Sequence, residues 1–172
     1  MRNVMDVKFH SACETRSLMS PKPIAIGNDE AAAGLRAVLA EHLESLGFTV
    51  ELFGPEHSES KVDYPDVAVE VAGKVAGGSY DRALLLCGTG IGMAIAANKV
   101  PGVRAAQAAD TYSAERARKS NDAQILAIGA RTVGPELAKS IVDAWLAAEY
   151  EGRSDTKVAK LKELDAHARS VR

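Results

Sequence analysis

Five short apolar runs, separated by stretches with helical spacing, constrain this chain more than any other feature. The runs are Ile24–Ile26, Thr49–Phe53, Arg82–Leu86, Val103–Ala106 and Gln124–Ile128. Their regular alternation with longer amphipathic segments is the pattern of β/α units laid on a parallel sheet. The helical segments read as Ala31–Leu46, Pro65–Ala76, Ile91–Lys99, Thr111–Lys119 and Pro135–Glu149, with a polar Lys157–Arg169 at the end. Leu35, Val38, Leu39 and Leu43 fall near helical spacing and Gly47 follows as a stop. Pro65 suits a first helical turn, Gly77-Gly78 ends that segment, and Asp110 can cap Thr111–Lys119. The expected fold is α/β: a three-layer α/β/α sandwich around a five-stranded parallel, Rossmann-like sheet. Ligands in such sheets bind outside the carboxyl ends of the strands.

The length of 172 residues suits one domain. Pro21 and Pro23 mark a sharp change into IAIG, so residues 1–20 read as an N-terminal extension and 21–172 as the domain. The extension has neither an apolar core nor a small-residue cleavage site, which argues against a secretory signal. A natural translation start at Met19 is one expectation for it. The net charge of −2 offers no basic excess for a nucleic-acid backbone, and no apolar run approaches the ~20 residues of a membrane span. Cys13 and Cys87 lie far apart without metal-ligand spacing, and His10, His42, His57 and His167 form no ligand pattern. No metal or cofactor is expected, and the cysteine usage points to a reducing cytoplasm.

Four segments fall at strand ends: Gly27-Asn28-Asp29-Glu30, Cys87-Gly88-Thr89-Gly90-Ile91-Gly92, Asp110-Thr111-Tyr112 and Gly129-Ala130-Arg131. The strongest is CGTGIG. Alternate glycines let the backbone turn tightly and aim successive N–H groups into one concavity, and the helix that follows adds its positive end. Such a nest binds a phosphate or a developing oxyanion. Cys87 stands at its mouth, where a thiol can act as base or nucleophile, or can be a small buried strand-end hydrophobe. Asp29 and Glu30 can shuttle protons, or Asp29 can simply cap the next helix. Arg131, Arg153 and Lys157 can hold a phosphate, or can be solvated surface charges.

Together the segments IAIGNDE, VDYPD, LLLCGTGIGMAIAANKVPGVRAA, TYSAERARKSNDAQILAIGAR, VGPELAKSIVDAWL and EYEGR resemble the ribose-5-phosphate isomerase B family, which includes the galactose-6-phosphate isomerase subunits. The resemblance covers about Ile24 to Val158 and implies a metal-independent aldose–ketose isomerase acting through a cis-enediolate. By position, Cys87 would move the proton between C1 and C2. Thr89 and the amides of Gly88, Gly90, Ile91 and Gly92 would hold the enediolate oxygens. Asp29 and Glu30 would face the sugar, and Asn121 would hold it. Arg131, Arg153 and Lys157 would take the phosphate, some of them from the partner of a homodimer or tetramer.

The departures from the family pattern bear on the substrate. Glu30 stands where ribose-5-phosphate enzymes of this family have His. Ser120 stands where a His normally opens the furanose ring, and Lys157 replaces an Arg. A serine is no acid–base catalyst near neutral pH. A tetrose with phosphate on O4 cannot close a furanose, so a ring-opening acid would be redundant. The favoured substrate pair is therefore D-erythrulose 4-phosphate and D-erythrose 4-phosphate. The alternatives are ribose 5-phosphate with spontaneous ring opening, or another phosphosugar. Two other classes fit less well. A dinucleotide module needs G-x-G-x-x-G after its first strand, and a phosphoacceptor domain needs Asp after its third, where this chain has Cys87.

Overall fold

The computed structural model describes residues 22–170, so Cys13, Met19 and the extension lie outside the described residues. Five parallel strands alternate with helices: β1 (Ile24–Asn28), α1 (Ala33–Ser45), β2 (Val50–Phe53), α2 (Tyr64–Ala76), β3 (Ala83–Cys87), α3 (Ile91–Ala97), β4 (Ala105–Gln107), α4 (Thr111–Asn121), β5 (Ile125–Gly129), α5 (Pro135–Ala147) and α6 (Asp155–Ser170). A 3-10 turn, Glu30–Ala32, leads into α1. The strand order is β2-β1-β3-β5-β4. The expected α/β sandwich is the observed architecture.

Strand periodicity divides the core in two. In β1, β3 and β5, Ile24, Ile26, Leu84, Leu86, Leu126 and Ile128 face one layer, which is filled by Leu35, Leu39 and Leu43 of α1 with Ile141 and Trp145 of α5. The alternate residues Ala25, Ala83, Leu85, Cys87, Ile125 and Ala127 face the other layer, with Val67 and Val71 of α2 and Met93 and Ala97 of α3. The three central strands are buried throughout, as the near-continuous apolar runs of a sheet covered on both faces require. Gly27 belongs to the second face. A Cβ there would lie 2.9–3.0 Å from Leu85, Val67 and Val71, so only glycine lets α2 seat this closely.

Local signals account for the boundaries. Gly47 takes φ +88° just past α1, and Pro65 lies in the first turn of α2. Asp110 accepts from the Ser113 N–H at 2.7 Å and caps α4. β4 is shorter and starts later than the apolar run at Val103 implies. The side chain of Gln124 accepts from the Arg104 N–H at 2.9 Å and diverts that backbone group from the ladder. α6 begins two residues before the expected Lys157. Among the described residues no helix is long and apolar enough to cross a membrane.

After β1 the chain runs outward to β2, then returns to place β3 on the other side of β1. The carboxyl ends of β1 and β3 therefore flank the topological switch point. A doubly wound sheet opens its crevice there.

Candidate active site

The CGTGIG turn begins at the last residue of β3. Cys87 is 5% exposed, and its sulfur accepts the Gly90 backbone N–H at 3.1 Å. Gly90 is left-handed at φ +77°, and a Cβ on it would lie 3.0–3.1 Å from the backbone of Ala127 and Ile128. Glycine is needed both for the conformation and for the close approach to β5. Thr89 is exposed at the tip of the turn, its hydroxyl receiving the Ile91 N–H at 3.4 Å and its carbonyl the Gln107 amide at 3.5 Å. Gly129 backs the turn. A Cβ on it would lie 2.6 Å from the Thr89 backbone and 2.4 Å from the Thr132 hydroxyl. Position 129 thus fixes where Thr89 stands.

Across the crevice, the Asp29 N–H donates to the Leu86 carbonyl at 3.1 Å, which holds the β1 turn against the end of β3. Asn28 is fully buried, and its amide donates to the carbonyls of Asp29 and Pro55, each at 2.9 Å. The Asp29 carboxylate accepts the Ala31 N–H at 3.0 Å, so the capping role open in the sequence is present. Burial pushes the Asp29 carboxyl above its ordinary value. The amides of Ala31 and Ala32 and the charge of Arg131 oppose that rise, and the charge of Glu30 adds to it. One carboxylate oxygen of Glu30 is buried with no hydrogen-bond partner. The Arg131 side chain lies over Gly88, where a Cβ would meet its Cδ at 3.5 Å.

Two residues near the nest went unassigned in the sequence. Tyr64, in VDYPD, covers Gly92 so closely that a Cβ there would fall 2.7 Å from its ring. The motif was legible, but nothing in its spacing said that the first turn of α2 reaches α3. Gln107, at the end of β4, bonds to Thr89 and carried no signal.

The other residues named from the sequence stand elsewhere. Asn121 closes α4 and lies beside the start of β4, where its carbonyl accepts from Arg104 Nε at 2.9 Å. Ser120 accepts a hydrogen bond from Arg116 on the same helix. Arg153 is exposed, with Nε 3.4 Å from Glu151, whose own N–H donates to the Lys119 carbonyl at 3.3 Å. Lys157 is exposed on α6. This second group sits at the amino ends of the strands. The sheet separates it from Cys87 by about 16 Å, the length of a five-residue strand. Within one chain the two groups do not meet. Among the described residues, His42 pairs with Asp143 at 2.7 Å, His57 lines a cavity with Gly34 and Arg36, and His167 lies near the end of α6. Among them, too, no cluster of three or more His, Cys, Asp or Glu could hold a metal ion.

The arrangement joins a thiol, a tight glycine turn, two carboxyl groups and one guanidinium at a sheet crevice. It is suited to moving a proton beside a carbonyl whose oxygen gains negative charge.

Comparison with known proteins identifies the family. The family model described as Ribose/Galactose Isomerase matches residues 24–161. A D-erythrulose-4-phosphate isomerase of Pectobacterium atrosepticum is 53% identical over 139 residues, covering 80% of this chain and 91% of that protein. A ribose-5-P isomerase B of Listeria innocua is 50% identical, covering 83% and 96%. The structure of a Clostridium thermocellum ribose-5-phosphate isomerase B superposes with a TM-score of 0.82 at 46% identity, covering 85% of this chain and 99% of that one.

Proposed function

The chain belongs to the ribose/galactose isomerase family and is a sugar-phosphate isomerase, and on that footing we propose that it interconverts D-erythrulose 4-phosphate and D-erythrose 4-phosphate. The observation that carries this reading is Ser120. Where this family's ring-opening histidine is expected, a hydroxyl stands hydrogen-bonded to Arg116. A substrate that cannot form a ring needs no such acid. The relative named D-erythrulose-4-phosphate isomerase supports the same reading.

In this proposal the substrate's carbonyl oxygen lies in the nest of Gly88, Gly90, Ile91 and Gly92 amides with the Thr89 hydroxyl. Cys87, as thiolate, takes the proton from the carbon beside the carbonyl. The electron pair moves onto the oxygen, giving a cis-enediolate. Return of the proton to the neighbouring carbon, with the hydroxyl proton passing from one enediolate oxygen to the other, completes the isomerisation, and no net proton is gained or lost. The Gly90 N–H lies at the sulfur, at the edge of the region where the oxyanion forms. Asp29 receives a substrate hydroxyl. A working thiolate of this kind fits a reducing compartment, the cytoplasm.

The phosphate requires a second copy of the chain. Among the described residues of one chain, the crevice sets Asp29 and Glu30 against Arg131, too little positive charge for a phosphate dianion. Arg153, Lys157 and Asn121 lie at the opposite end of the strands. We assign them to the site of the partner subunit in a homodimer, which a tetramer can contain as its unit. The exposed Ile91 and Ile95 of α3 and Tyr112 of α4, 55%, 57% and 72% exposed, supply apolar surface beside the nest for that contact.

A ribose-5-phosphate isomerase is the second reading, favoured by the 50%-identical relative of that name. Purified enzyme assayed on erythrulose 4-phosphate, ribose 5-phosphate and a six-carbon phosphosugar decides between the two. A higher kcat/KM for ribose 5-phosphate than for erythrulose 4-phosphate refutes the tetrose assignment.

A further inference from the structure

Most cations near the amino ends of the strands are committed to carboxylates. Arg104 and Arg118 both pair with Asp122, at 2.7 and 2.5 Å. Lys119 pairs with Glu115 and reaches Glu151 at 3.8 Å, and Arg153 meets the same Glu151 at 3.4 Å. Lys157 has no such partner but is exposed on α6. Arg116 differs from all of them. It is half-buried on α4 and forms no ion pair with any described residue, its sequence neighbour Glu115 being taken by Lys119. One N–H of its guanidinium goes to the Ser120 hydroxyl, one turn away on the same helix face. Its Nε and Nη1 have no acceptor among the described residues and are not sealed from solvent. A guanidinium so placed is a planar fork matched to a carboxylate or a phosphate. Here the fork is open, and it is anchored to Ser120, the residue on which the substrate reading rests.

Sugar chemistry gives that position a meaning. A ribofuranose closes through O4, so a group facing O4 meets a ring oxygen. In a four-carbon sugar phosphate, O4 is the ester oxygen of the phosphate itself. With C1 and C2 held in the same place at Cys87, the ring oxygen of one sugar and the phosphate of the other fall at the same point. A tetrose has no use for an acid there. A hydroxyl and an uncommitted guanidinium are donors that a phosphate dianion accepts from. In ribose 5-phosphate the phosphate hangs one carbon further along.

We propose that Arg116 is a substrate-binding residue that sets specificity: with the Ser120 hydroxyl, its open N–H groups grip the phosphate on O4 of a tetrose bound in the site of the partner subunit. The proposal rests on the tetrose reading and the shared site above. Arg153, divided between the phosphate and Glu151, and the exposed Lys157 supplement that grip.

The test compares the wild type with Arg116→Met and Arg116→Gln, the second keeping a polar side chain should the first not fold. KM for erythrulose 4-phosphate should rise about 10–100-fold, the worth of hydrogen bonds to a charged group, with most of kcat retained. Inorganic phosphate should weaken as a competitive inhibitor by a similar factor. Ribose 5-phosphate, as substrate or as inhibitor, should be affected far less. An unchanged KM for the tetrose, a loss confined to kcat, or an equal loss on both sugars overturns the proposal. The wild type separates the failures. An enzyme that prefers the tetrose but ignores the loss of Arg116 refutes this role alone, and a preference for ribose 5-phosphate refutes the tetrose reading. Mixing tests the placement. At substrate below KM, Arg116→Met and Cys87→Ala should regain activity on reassociation. If Arg153→Ala regains it and Arg116→Met does not, Arg116 does not serve the partner's site. If neither does, the shared site itself is refuted.

Discussion

The Gly90 backbone N–H points at the Cys87 sulfur from 3.1 Å. The turn proposed to receive an oxyanion therefore already holds the thiol at its edge, so the proposed base and oxyanion site share one turn. If Cys87 is the base, Cys87→Ala lowers kcat by about 10²–10⁴-fold, the usual worth of a positioned base. Circular dichroism should be unchanged, since little volume is lost. Near-normal turnover by Cys87→Ala removes it from the mechanism.

Gly90→Ala tests the turn itself. The left-handed backbone disfavours alanine, and the added methyl meets the Ala127 and Ile128 backbone at 3.0–3.1 Å. A stability loss of about 1–3 kcal/mol in urea unfolding is expected from a strained conformation of this kind. A fall in kcat should accompany it, because the turn that moves carries the Cys87 contact. Wild-type stability together with wild-type kcat would contradict the proposed role of the turn.

Much of this was legible from the chain. The alternation of Ile24–Ile26 and its successors with amphipathic segments gave the sheet, because parallel strands covered on both faces leave an unmistakable apolar run. CGTGIG gave the tight turn after β3, because glycine has a backbone meaning that survives without coordinates. What stayed hidden depends on where elements meet. Tyr64 sits 28 positions before Gly92 yet covers it, and Gln107 reaches Thr89 across the top of the sheet. The late start of β4 depends on one side chain, Gln124, capturing an N–H. Arg153 and Lys157 read as partners of Arg131 in sequence, and only the fold shows that a sheet lies between them.

Asp29 carries a pH signature. Its carboxyl is raised above the ordinary 3.8 chiefly by burial, so the fold prefers the protonated form. The stability this contributes is present in full below the unfolded value. It is lost as pH rises through the higher folded value. Asp29→Asn removes the penalty of ionisation while keeping an acceptor for the Ala31 N–H. It should melt higher than wild type near pH 7, with the gap closing as pH falls toward about 4. A lower melting temperature at pH 7, or a gap independent of pH, contradicts this.

Arg82 closes the end of α5. Its guanidinium donates to the carbonyls of Leu146 at 2.7 Å, Ala148 at 3.2 Å and Trp145 at 3.3 Å, and lies 5.4 Å from the Trp145 ring centre. Arg82→Ala takes the donor from the Leu146 and Ala148 carbonyls, while that of Trp145 keeps the Ala148 N–H, and should cost about 2–4 kcal/mol in urea unfolding, given about 1–3 kcal/mol for an unsatisfied buried group. Arg82→Lys should recover only part, because an ammonium cannot spread over three acceptors as a planar fork does. Full recovery by lysine would assign the effect to charge alone.

The separation of Cys87 from Arg153 by the length of a strand makes the shared site testable by mixing. Cys87→Ala and Arg153→Ala are each expected to be impaired, the first in kcat and the second mainly in KM through lost phosphate binding. If each site takes Cys87 from one chain and Arg153 from the other, a mixed dimer contains one site with both residues intact and one with neither. Random reassociation from denaturant makes half of the dimers mixed, so about a quarter of wild-type activity should return, as the two-fold geometry of a dimer dictates. If both residues serve the site of their own chain, no mixture holds an intact site. Activity then stays at the mean of the two variants, and the shared site is refuted.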